Sequence, residues 1–246
     1  MTLANKAHIA VDSFKETADN APADRNYRGL GIFSYWGVHE AVADLAVREL
    51  PQGAAIFDIA SGSGALCLRL KDAGFAPTGC DLVTDNFKLH GTVPFQTIEL
   101  NTSFSETVGR TFDAITAVEI IEHLENPRHF IRHCFALLNP GGKLILSTPN
   151  VDSGYSRALW LRAGYPNWFD EATYRDGGHI TPLPTIVLTR ALTDSGFVVK
   201  QLTSAGESKP SWKWWKLHLL AFLLQKLDAA RNPQGETVIV VAEKPS

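Results

Sequence analysis

Short apolar runs alternate along most of the chain with segments whose apolar residues recur at helical spacing. The runs that predict strands are short and bounded by turn residues: Ala55–Ala60, Thr78–Asp81, Phe95–Leu100, Phe112–Val118, Lys143–Thr148, Phe197–Thr203 and Glu236–Ala242. Helical spacing marks segments beginning near Val38, Ala65, Pro127 and Thr185. Strands that alternate with helices in this way predict right-handed βαβ units and a doubly wound, mostly parallel α/β sheet.

The length of 246 residues suits a single domain, here predicted to span residues 1–246. Residues 1–32 are expected to form an N-terminal extension. Residues 151–182 combine aromatic and turn residues, which favours a cover over an active site. Residues 209–232 are expected to be an apolar helical insertion between the last two strands.

Composition narrows the functional classes. Hydrophobic residues make up 45% of the chain and charged residues 20%, values typical of a globular protein with a real core. The chain has 23 Lys and Arg residues and 26 Asp and Glu residues, so its net charge is negative. The protein as a whole therefore lacks the positive charge that favours binding of nucleic acid. The three cysteines lie in apolar runs and predict buried thiols rather than disulfides. We expect a cytoplasmic protein, at most peripheral to a membrane.

A small-residue loop, Asp58-Ile59-Ala60-Ser61-Gly62-Ser63-Gly64, joins the first long strand to its helix. Its glycines allow close approach of a ligand to the backbone, and the helix N-terminus offers free N–H groups. Asp81 follows 17 residues beyond the last glycine, where it can accept hydrogen bonds from ribose hydroxyls. These features fit a dinucleotide or S-adenosylmethionine. Cys67 occupies the third glycine position of the dinucleotide fingerprint, and Asp58 suits a cation better than a pyrophosphate, so S-adenosylmethionine is favoured.

The loop resembles motif I of the class I S-adenosylmethionine-dependent methyltransferases, with Ala60 in place of the first glycine. Asp81 matches the ribose-binding acid of that family. Phe112-Asp113-Ala114-Ile115 and Asn139-Pro140-Gly141-Gly142-Lys143-Leu144 match its fourth and fifth strands. The resemblance covers residues 53–196 and implies a Rossmann-like methyltransferase fold, with a mostly parallel seven-stranded sheet and an antiparallel last strand.

The resemblance also implies where the cofactor lies. Asp58 and Gly62 are expected near its amino-acid moiety, Asp81 at its ribose and Asn101 near its adenine, with Val118 on the cavity floor. The full set expected to bind S-adenosylmethionine is Asp58, Ala60, Gly62, Gly64, Asp81, Leu82, Asn101 and Val118.

An acid and histidine cluster, Glu119-Ile120-Ile121-Glu122-His123, follows the fourth strand. Two carboxylates and an imidazole meeting there suit a divalent ion, although the same residues also serve to cap a helix or line a pocket. The Glu-x-x-Glu-His pattern resembles ubiquinone-biosynthesis O-methyltransferases and small-RNA terminal 2′-O-methyltransferases. In the latter a histidine from a later loop completes a metal site, and His179 is the candidate here. The expected ligands of Mg²⁺ or another divalent metal are Glu119, Glu122, His123 and His179.

The chemistry implied is methyl transfer to oxygen. A metal that chelates two adjacent oxygens of an acceptor lowers the pKa of its hydroxyl. Without a metal, His123 or His179 would act as general base. By contrast, His129 and His133 share a helix face with arginines, which favours a solvated surface.

We therefore expect a methyltransferase acting on a hydroxyl of a small or lipid-linked molecule, such as a quinone precursor, a saccharide or a secondary metabolite. The alternatives are a metal-free N- or C-methyltransferase, an RNA-terminus 2′-O-methyltransferase, an NAD-dependent oxidoreductase and a noncatalytic cofactor-binding protein. Nucleic acid is the least favoured partner because of the acidic charge balance.

The helix expected over Trp212–Ala229 is unusually apolar, and its first turns interleave three tryptophans with Lys213 and Lys216. Such a segment suits the surface of a membrane. Through Trp212–Leu224 it would equally suit a homodimer contact, a lid over a lipid-like acceptor, or ordinary packing on the sheet.

Overall fold

The computed structural model describes residues 25–207, 215–228 and 233–246. Its strands are β1 (Asn26–Tyr27), β2 (Leu30–Gly31), β3 (Ala55–Ile59), β4 (Ala76–Asp81), β5 (Phe95–Thr97), β6 (Phe112–Val118), β7 (Leu138–Pro149), β8 (Val198–Ala205) and β9 (Thr237–Glu243). Its helices are α1 (Val38–Glu49), α2 (Ala65–Asp72), α3 (Phe104–Val108), α4 (Pro127–Ala136), α5 (Gly154–Ala163), α6 (Glu171–Asp176), α7 (Thr185–Asp194) and α8 (Trp215–Asp228).

Strands β3 to β9 form one seven-stranded sheet in the order β5-β4-β3-β6-β7-β9-β8. The first five strands of this order are parallel, while β9 runs antiparallel to both β7 and β8. This confirms the predicted fold class. The strand order reverses between β3 and β6, so a crevice for a ligand is expected at their carboxyl ends.

Helices cover both faces of the sheet, as successive side chains of β3 illustrate. Ile56 belongs to a buried cluster with Val42 of α1 and Leu70 of α2. Phe57 belongs to the opposite cluster, with residues of α4 and α7. Because neighbouring strand residues point to opposite faces, a continuous apolar run is the pattern that a sheet covered on both sides requires.

Two predicted boundaries need correction. The strand expected over Phe95–Leu100 ends at Thr97. The turn expected at residues 139–142 instead lies within β7, as an irregularity opposite Asp113: the pairing passes from Phe112 with Leu138 directly to Ala114 with Lys143. The Asn139 side-chain amide donates to the Asp113 carboxylate at 2.9 Å, which accommodates the extra residues in the ladder.

The predicted N-terminal extension lies mostly outside the described residues, but its last part is a short antiparallel hairpin of β1 and β2. The Ser63 hydroxyl of the glycine loop donates to the Gly31 carbonyl at 2.6 Å. This end of the extension therefore docks on the loop that was expected to bind the cofactor.

The predicted insertion before the last strand contains α8, which packs against α5. This helix contact, with Leu217 and Ala221 buried beside Ala158, replaces the packing on the sheet that was one expectation. Trp212 and Trp214 lie outside the described residues. Among the parts of the chain that are described, no helix is both long and apolar enough to cross a membrane. The three cysteines are buried and free, as predicted.

Candidate active site

The glycine loop has the left-handed backbone that its sequence suggests. Gly62 has φ 50° and Gly64 has φ 88°, immediately before α2 begins. A Cβ atom at Gly64 would lie 2.9 Å from the side chains of Phe87 and Leu89, so a larger residue does not fit there. Ala60 also adopts a left-handed conformation, with φ 58°, at the position where the family pattern has glycine.

Asp81 holds this loop against the end of β4. One carboxylate oxygen accepts the Gly62 N–H at 2.9 Å, and the other accepts the Val83 N–H at 2.9 Å. Burial raises the pKa of Asp81, while these backbone donors act in the opposite direction. Since each carboxylate oxygen has two lone pairs, both can still accept a bond from a ligand hydroxyl.

Asp58 is buried at the end of β3 and is already bonded within the protein. Its carboxylate accepts the Thr116 hydroxyl at 2.7 Å and the Cys67 thiol at 3.2 Å. Burial raises its pKa to about 6. The Cys67 contact explains why cysteine suits this position on α2: its thiol ties the helix to the strand end.

The other expected cofactor residues lie near the same edge. Leu82 follows Asp81 and is 46% exposed, and Val118 is half-buried at the end of β6. Asn101 is exposed, donates to the Glu99 carboxylate at 3.3 Å and accepts the Glu125 N–H at 3.2 Å. Sequence reasoning did not single out Glu99, whose carboxylate fixes Asn101 in this position.

Beyond β6 the chain turns sharply and brings three of the four predicted metal ligands together. One ligand atom each from Glu122, His123 and His179 lies within 4.8 Å of the other two. A short 3₁₀ turn, Ile121–His123, presents Glu122 and His123, with 3.9 Å between the Glu122 Oε1 and the His123 Nε2. His179 arrives from the loop after α6, as the sequence suggested. We call these three residues the Glu-His-His cluster.

Glu119 lies beside this cluster and is not a member of it. Its backbone is left-handed, with φ 50°, and its carboxylate accepts the Ser147 hydroxyl at 3.3 Å. Burial raises its pKa to about 7. The expected four-ligand set is therefore reduced by the geometry to three residues.

Backbone carbonyls orient both histidines of the cluster. The His123 Nδ1 lies 3.2 Å from the Gly178 carbonyl, and the His179 Nδ1 lies 2.8 Å from the Trp168 carbonyl. A carbonyl only accepts hydrogen bonds, so the His179 Nδ1 carries the proton and its neutral ring keeps a lone pair on Nε2. Burial lowers both pKa values, that of His123 to about 4, which keeps the rings neutral at pH 7.

Glu122 is completely buried, and its two carboxylate oxygens differ. Oε2 accepts the Thr148 hydroxyl at 3.0 Å, whereas Oε1 has no hydrogen-bond partner among the described residues. Burial, together with the nearby charge of Glu119, raises its pKa well above the ordinary value. The Glu122 carbonyl also accepts the N–H groups of Ile180 and Thr181, which fixes the loop that carries His179.

Trp168 lies in the segment predicted as a cover, but its role in orienting a site histidine was not predicted from the sequence. It has a left-handed φ of 69°, and its carbonyl is the one that orients His179. Its indole N–H donates to the buried Glu236 carboxylate at 3.1 Å, and Asn167 donates to the same oxygen at 2.8 Å. Its ring meets Tyr35 edge-on at 5.8 Å. The segment expected as a cover is thus tied to the residue that precedes β9.

Fold and loop together define a Rossmann-like methyltransferase domain, and comparison with known proteins agrees. A family model described as a methyltransferase domain matches residues 37–202. The chain belongs to the class I S-adenosylmethionine-dependent methyltransferase family. A solved S-adenosylmethionine-dependent methyltransferase from Archaeoglobus fulgidus shares the fold, with a TM-score of 0.56 and 19% identity over 85% of this chain and 96% of that one. The expected alternative of an NAD-dependent oxidoreductase is thereby wrong.

Curated relatives are also similar to the chain. It is 32% identical over 166 residues to the mitochondrial ubiquinone biosynthesis O-methyltransferase of Arabidopsis thaliana, covering 62% of this chain and 52% of that protein. It is 27% identical over 188 residues to the ubiquinone biosynthesis O-methyltransferase of Psychrobacter arcticus, covering 72% of this chain and 70% of the relative. The chain thus spans about half the length of the Arabidopsis relative.

Proposed function

We propose that this protein transfers the methyl group of S-adenosylmethionine to a hydroxyl oxygen of a small or lipid-linked acceptor, and that the Glu-His-His cluster holds a divalent cation beside that acceptor. The observation that carries the proposal is the convergence of Glu122, His123 and His179 at the carboxyl end of β6, next to β3 and its glycine loop. The names of the relatives support the expectation of an oxygen acceptor, with a quinone precursor as one candidate.

The donor set fits a cation. The Glu122 Oε1 is buried without a hydrogen-bond partner among the described residues, and a buried orphan of this kind needs an explanation. Two imidazoles and one carboxylate suit Zn²⁺, Mn²⁺ or Fe²⁺ better than Mg²⁺, which prefers oxygen ligands. The carbonyls of Gly178 and Trp168 orient the histidines as outer-shell partners of metal ligands do.

The reaction needs little else from the protein than positioning. The acceptor hydroxyl loses its proton to water, and its oxygen forms a bond to the sulfonium methyl carbon. The carbon–sulfur bond breaks, and its electron pair stays on sulfur as S-adenosylhomocysteine forms. Asp81 binds the ribose of the cofactor, and the glycine loop lets the cofactor lie close to the protein backbone. A bound cation supplies positive charge that lowers the pKa of the acceptor hydroxyl.

A metal-free reaction would use an imidazole as the base. His179 suits this role better than His123, because burial lowers the pKa of His123 to about 4 and makes it a weak base. Methyl transfer to oxygen that is unaffected by removal of metals would support this variant of the proposal.

Calorimetric titration with S-adenosylhomocysteine tests the cofactor assignment. Asp81→Asn should weaken binding by about 1–3 kcal/mol, roughly 5- to 150-fold, because hydrogen bonds to a charged acceptor are lost. The matched control is Asp44→Asn, which changes an exposed acid on α1. Equal affinity of both variants would contradict the assignment of Asp81, and no binding by the wild-type protein would contradict the cofactor itself.

Metal and acceptor are tested together on the wild-type protein and on Glu122→Gln, which keeps the side-chain shape and a partner for Thr148. Metal content is measured by mass spectrometry after equilibration with Zn²⁺ or Mn²⁺, and methyl transfer to a catechol is followed with and without EDTA. We expect metal uptake and methylation by the wild-type protein and loss of both in Glu122→Gln. Equal metal content in the two proteins would contradict the metal site.

A further inference from the structure

Helices α5 and α8 pack together and leave an apolar surface outside their contact. Its members are side chains that are at least one-third exposed, which we call the α5–α8 apolar surface: Trp160, Leu161, Trp215, Leu219, Leu220, Phe222, Leu223 and Leu227. Exposed apolar residues scattered singly are normal on proteins, but a group of this size on two helices that pack together marks an interaction site.

The exposed apolar residues of α8 lie on a different face from the residues that pack against α5. One face of the helix already packs on α5: Leu217 and Ala221 are each 6% exposed there, and the Tyr155 and His218 rings stack at 5.2 Å. On the opposite face, Phe222 and Leu223 are each 52% exposed. Apolar side chains on two opposite faces of one helix indicate a second apolar contact in addition to the one with α5.

The charge of α8 and of the sequence on either side of it is complementary to an anionic surface. Residues 209–231 carry five basic residues and one acidic residue, although the whole chain has a net charge of −3. Two of these basic residues lie among the exposed apolar side chains: the Lys216 ammonium is 5.6 Å from the Trp215 ring centroid, and the Lys226 ammonium is 5.4 Å from that of Phe222. Aromatic rings beside lysines with apolar stems are typical of the membrane–water interface.

We infer that the α5–α8 apolar surface docks the protein on an anionic lipid bilayer, with α8 lying in the plane of the interface. The apolar side chains would enter the boundary between headgroups and acyl chains, and the lysines would face the phosphates. The described part of α8 has 14 residues and is about 21 Å long, which is less than the hydrocarbon core of about 30 Å.

The surface lies close to the candidate active site along the chain. Helix α5 begins shortly after Thr148, whose hydroxyl bonds Glu122, and Gly154 at its start abuts the backbone of Ala221 in α8. Docking through α5 and α8 would therefore bring this end of the sheet near the membrane. The inference about lipid does not rest on the proposed reaction.

The test is co-sedimentation of the full chain with vesicles of phosphatidylcholine alone and of phosphatidylcholine mixed with phosphatidylglycerol. The variant is Phe222→Ser with Leu223→Ser. The matched control is Ile186→Ser with Val187→Ser, an adjacent pair on α7 that is also exposed, at 56% and 41%. We expect the wild-type protein and the control to bind the mixed vesicles. The affinity of the α8 variant for these vesicles should be at least about tenfold lower.

Charge gives a second expectation. Lys216→Gln with Lys226→Gln should bind the mixed vesicles several-fold less, and salt should weaken the binding of the wild-type protein, because the lysines act through the anionic headgroups. The inference is overturned if the wild-type protein does not bind the mixed vesicles, or if the α8 variant binds them as well as the α7 control. A dimer that the α8 variant dissociates, without vesicle binding by the wild-type protein, would assign the surface to a second copy instead.

Discussion

The buried carboxylates on the two sides of the carboxyl edge of the sheet differ in their hydrogen-bond partners. On the glycine-loop side, both oxygens of Asp81 accept backbone N–H groups, and Asp58 accepts a hydroxyl and a thiol. On the side of the Glu-His-His cluster, the Glu122 Oε1 has no hydrogen-bond partner among the described residues. Two imidazoles whose pKa values are lowered by burial share this site with it.

This difference indicates whether the buried polar groups of each side have hydrogen-bond partners in the absence of a ligand. The glycine-loop side satisfies its own polar groups and keeps spare lone pairs, so it is a preformed site for hydroxyl and amine donors. The cluster side leaves one buried carboxylate oxygen without a donor beside two imidazoles, and a bound positive charge would stabilise that arrangement. Variants on each side can show whether the two sides differ in this way.

The largest effect is expected from His179→Asn. Loss of one of three ligands should weaken the binding of Zn²⁺ or Mn²⁺ by at least about a hundredfold, beyond the 10- to 100-fold typical of outer-shell partners. Competition with a chelating dye measures this affinity. The matched control is His129→Asn, because His129 also faces a second histidine, with ring centroids 4.3 Å apart.

The control should keep the affinity of the wild-type protein, since His129 and His133 bond to the Thr102 carbonyl and the Ser105 hydroxyl. If both variants lost metal binding equally, the ion would not sit in the Glu-His-His cluster. If neither variant lost it, the two sides of the edge would not differ in their need for a cation.

The second effect is a pH dependence on the glycine-loop side. Burial raises the pKa of Asp58 from 3.8 to about 6, so folding binds a proton between these values. The free energy of unfolding should therefore decrease as the pH rises from about 4 to 6, by up to about 3 kcal/mol. Asp58→Asn removes this contribution, and urea unfolding of both proteins across that range measures it.

Comparison with Asp58→Asn isolates one group, because the two proteins share every other titrating residue. S-adenosylhomocysteine should reduce the difference in pH dependence, since an ammonium group near Asp58 favours its charged form. Parallel stability curves for the two proteins, without ligand, would show that Asp58 is not a buried acid with a raised pKa.

The features that sequence could predict are those in which local order sets the geometry. The glycine loop and Asp81 lie at ends of adjacent parallel strands, so the strand pattern alone brings them together. Glu122 and His123 were found for a related reason, because one short turn after β6 carries both. His179 came only from a family resemblance, since nothing local ties it to β6.

Two features could not be read from sequence because tertiary contacts determine them. Trp168 orients His179 through a backbone carbonyl, and a carbonyl leaves no trace in residue type. Glu119 was expected in the cluster because carboxylates at this spacing can converge. Its left-handed backbone and its bond to Ser147 instead hold it beside the cluster.

The smallest effect concerns the strain at the two strand ends. Ala60 after β3 has φ 58° and Glu119 after β6 has φ 50°, so each has a backbone that costs a non-glycine residue about 1–2 kcal/mol. Ala60→Gly relieves the strain but increases the entropy of the unfolded chain, which offsets about 0.5–1 kcal/mol. We expect a net gain of about 0.5–1 kcal/mol in the free energy of unfolding, measured in urea, with unchanged affinity for S-adenosylhomocysteine.

Glu119→Gly is the matching change on the other side. It relieves similar strain, but it also removes a carboxylate that accepts the Ser147 hydroxyl and leaves that buried hydroxyl without its acceptor. The gain should therefore be smaller than for Ala60→Gly, or absent. Equal stabilisation by both changes would mean that the Glu119 side chain contributes nothing to the fold, and that its backbone conformation is retained for the active site alone.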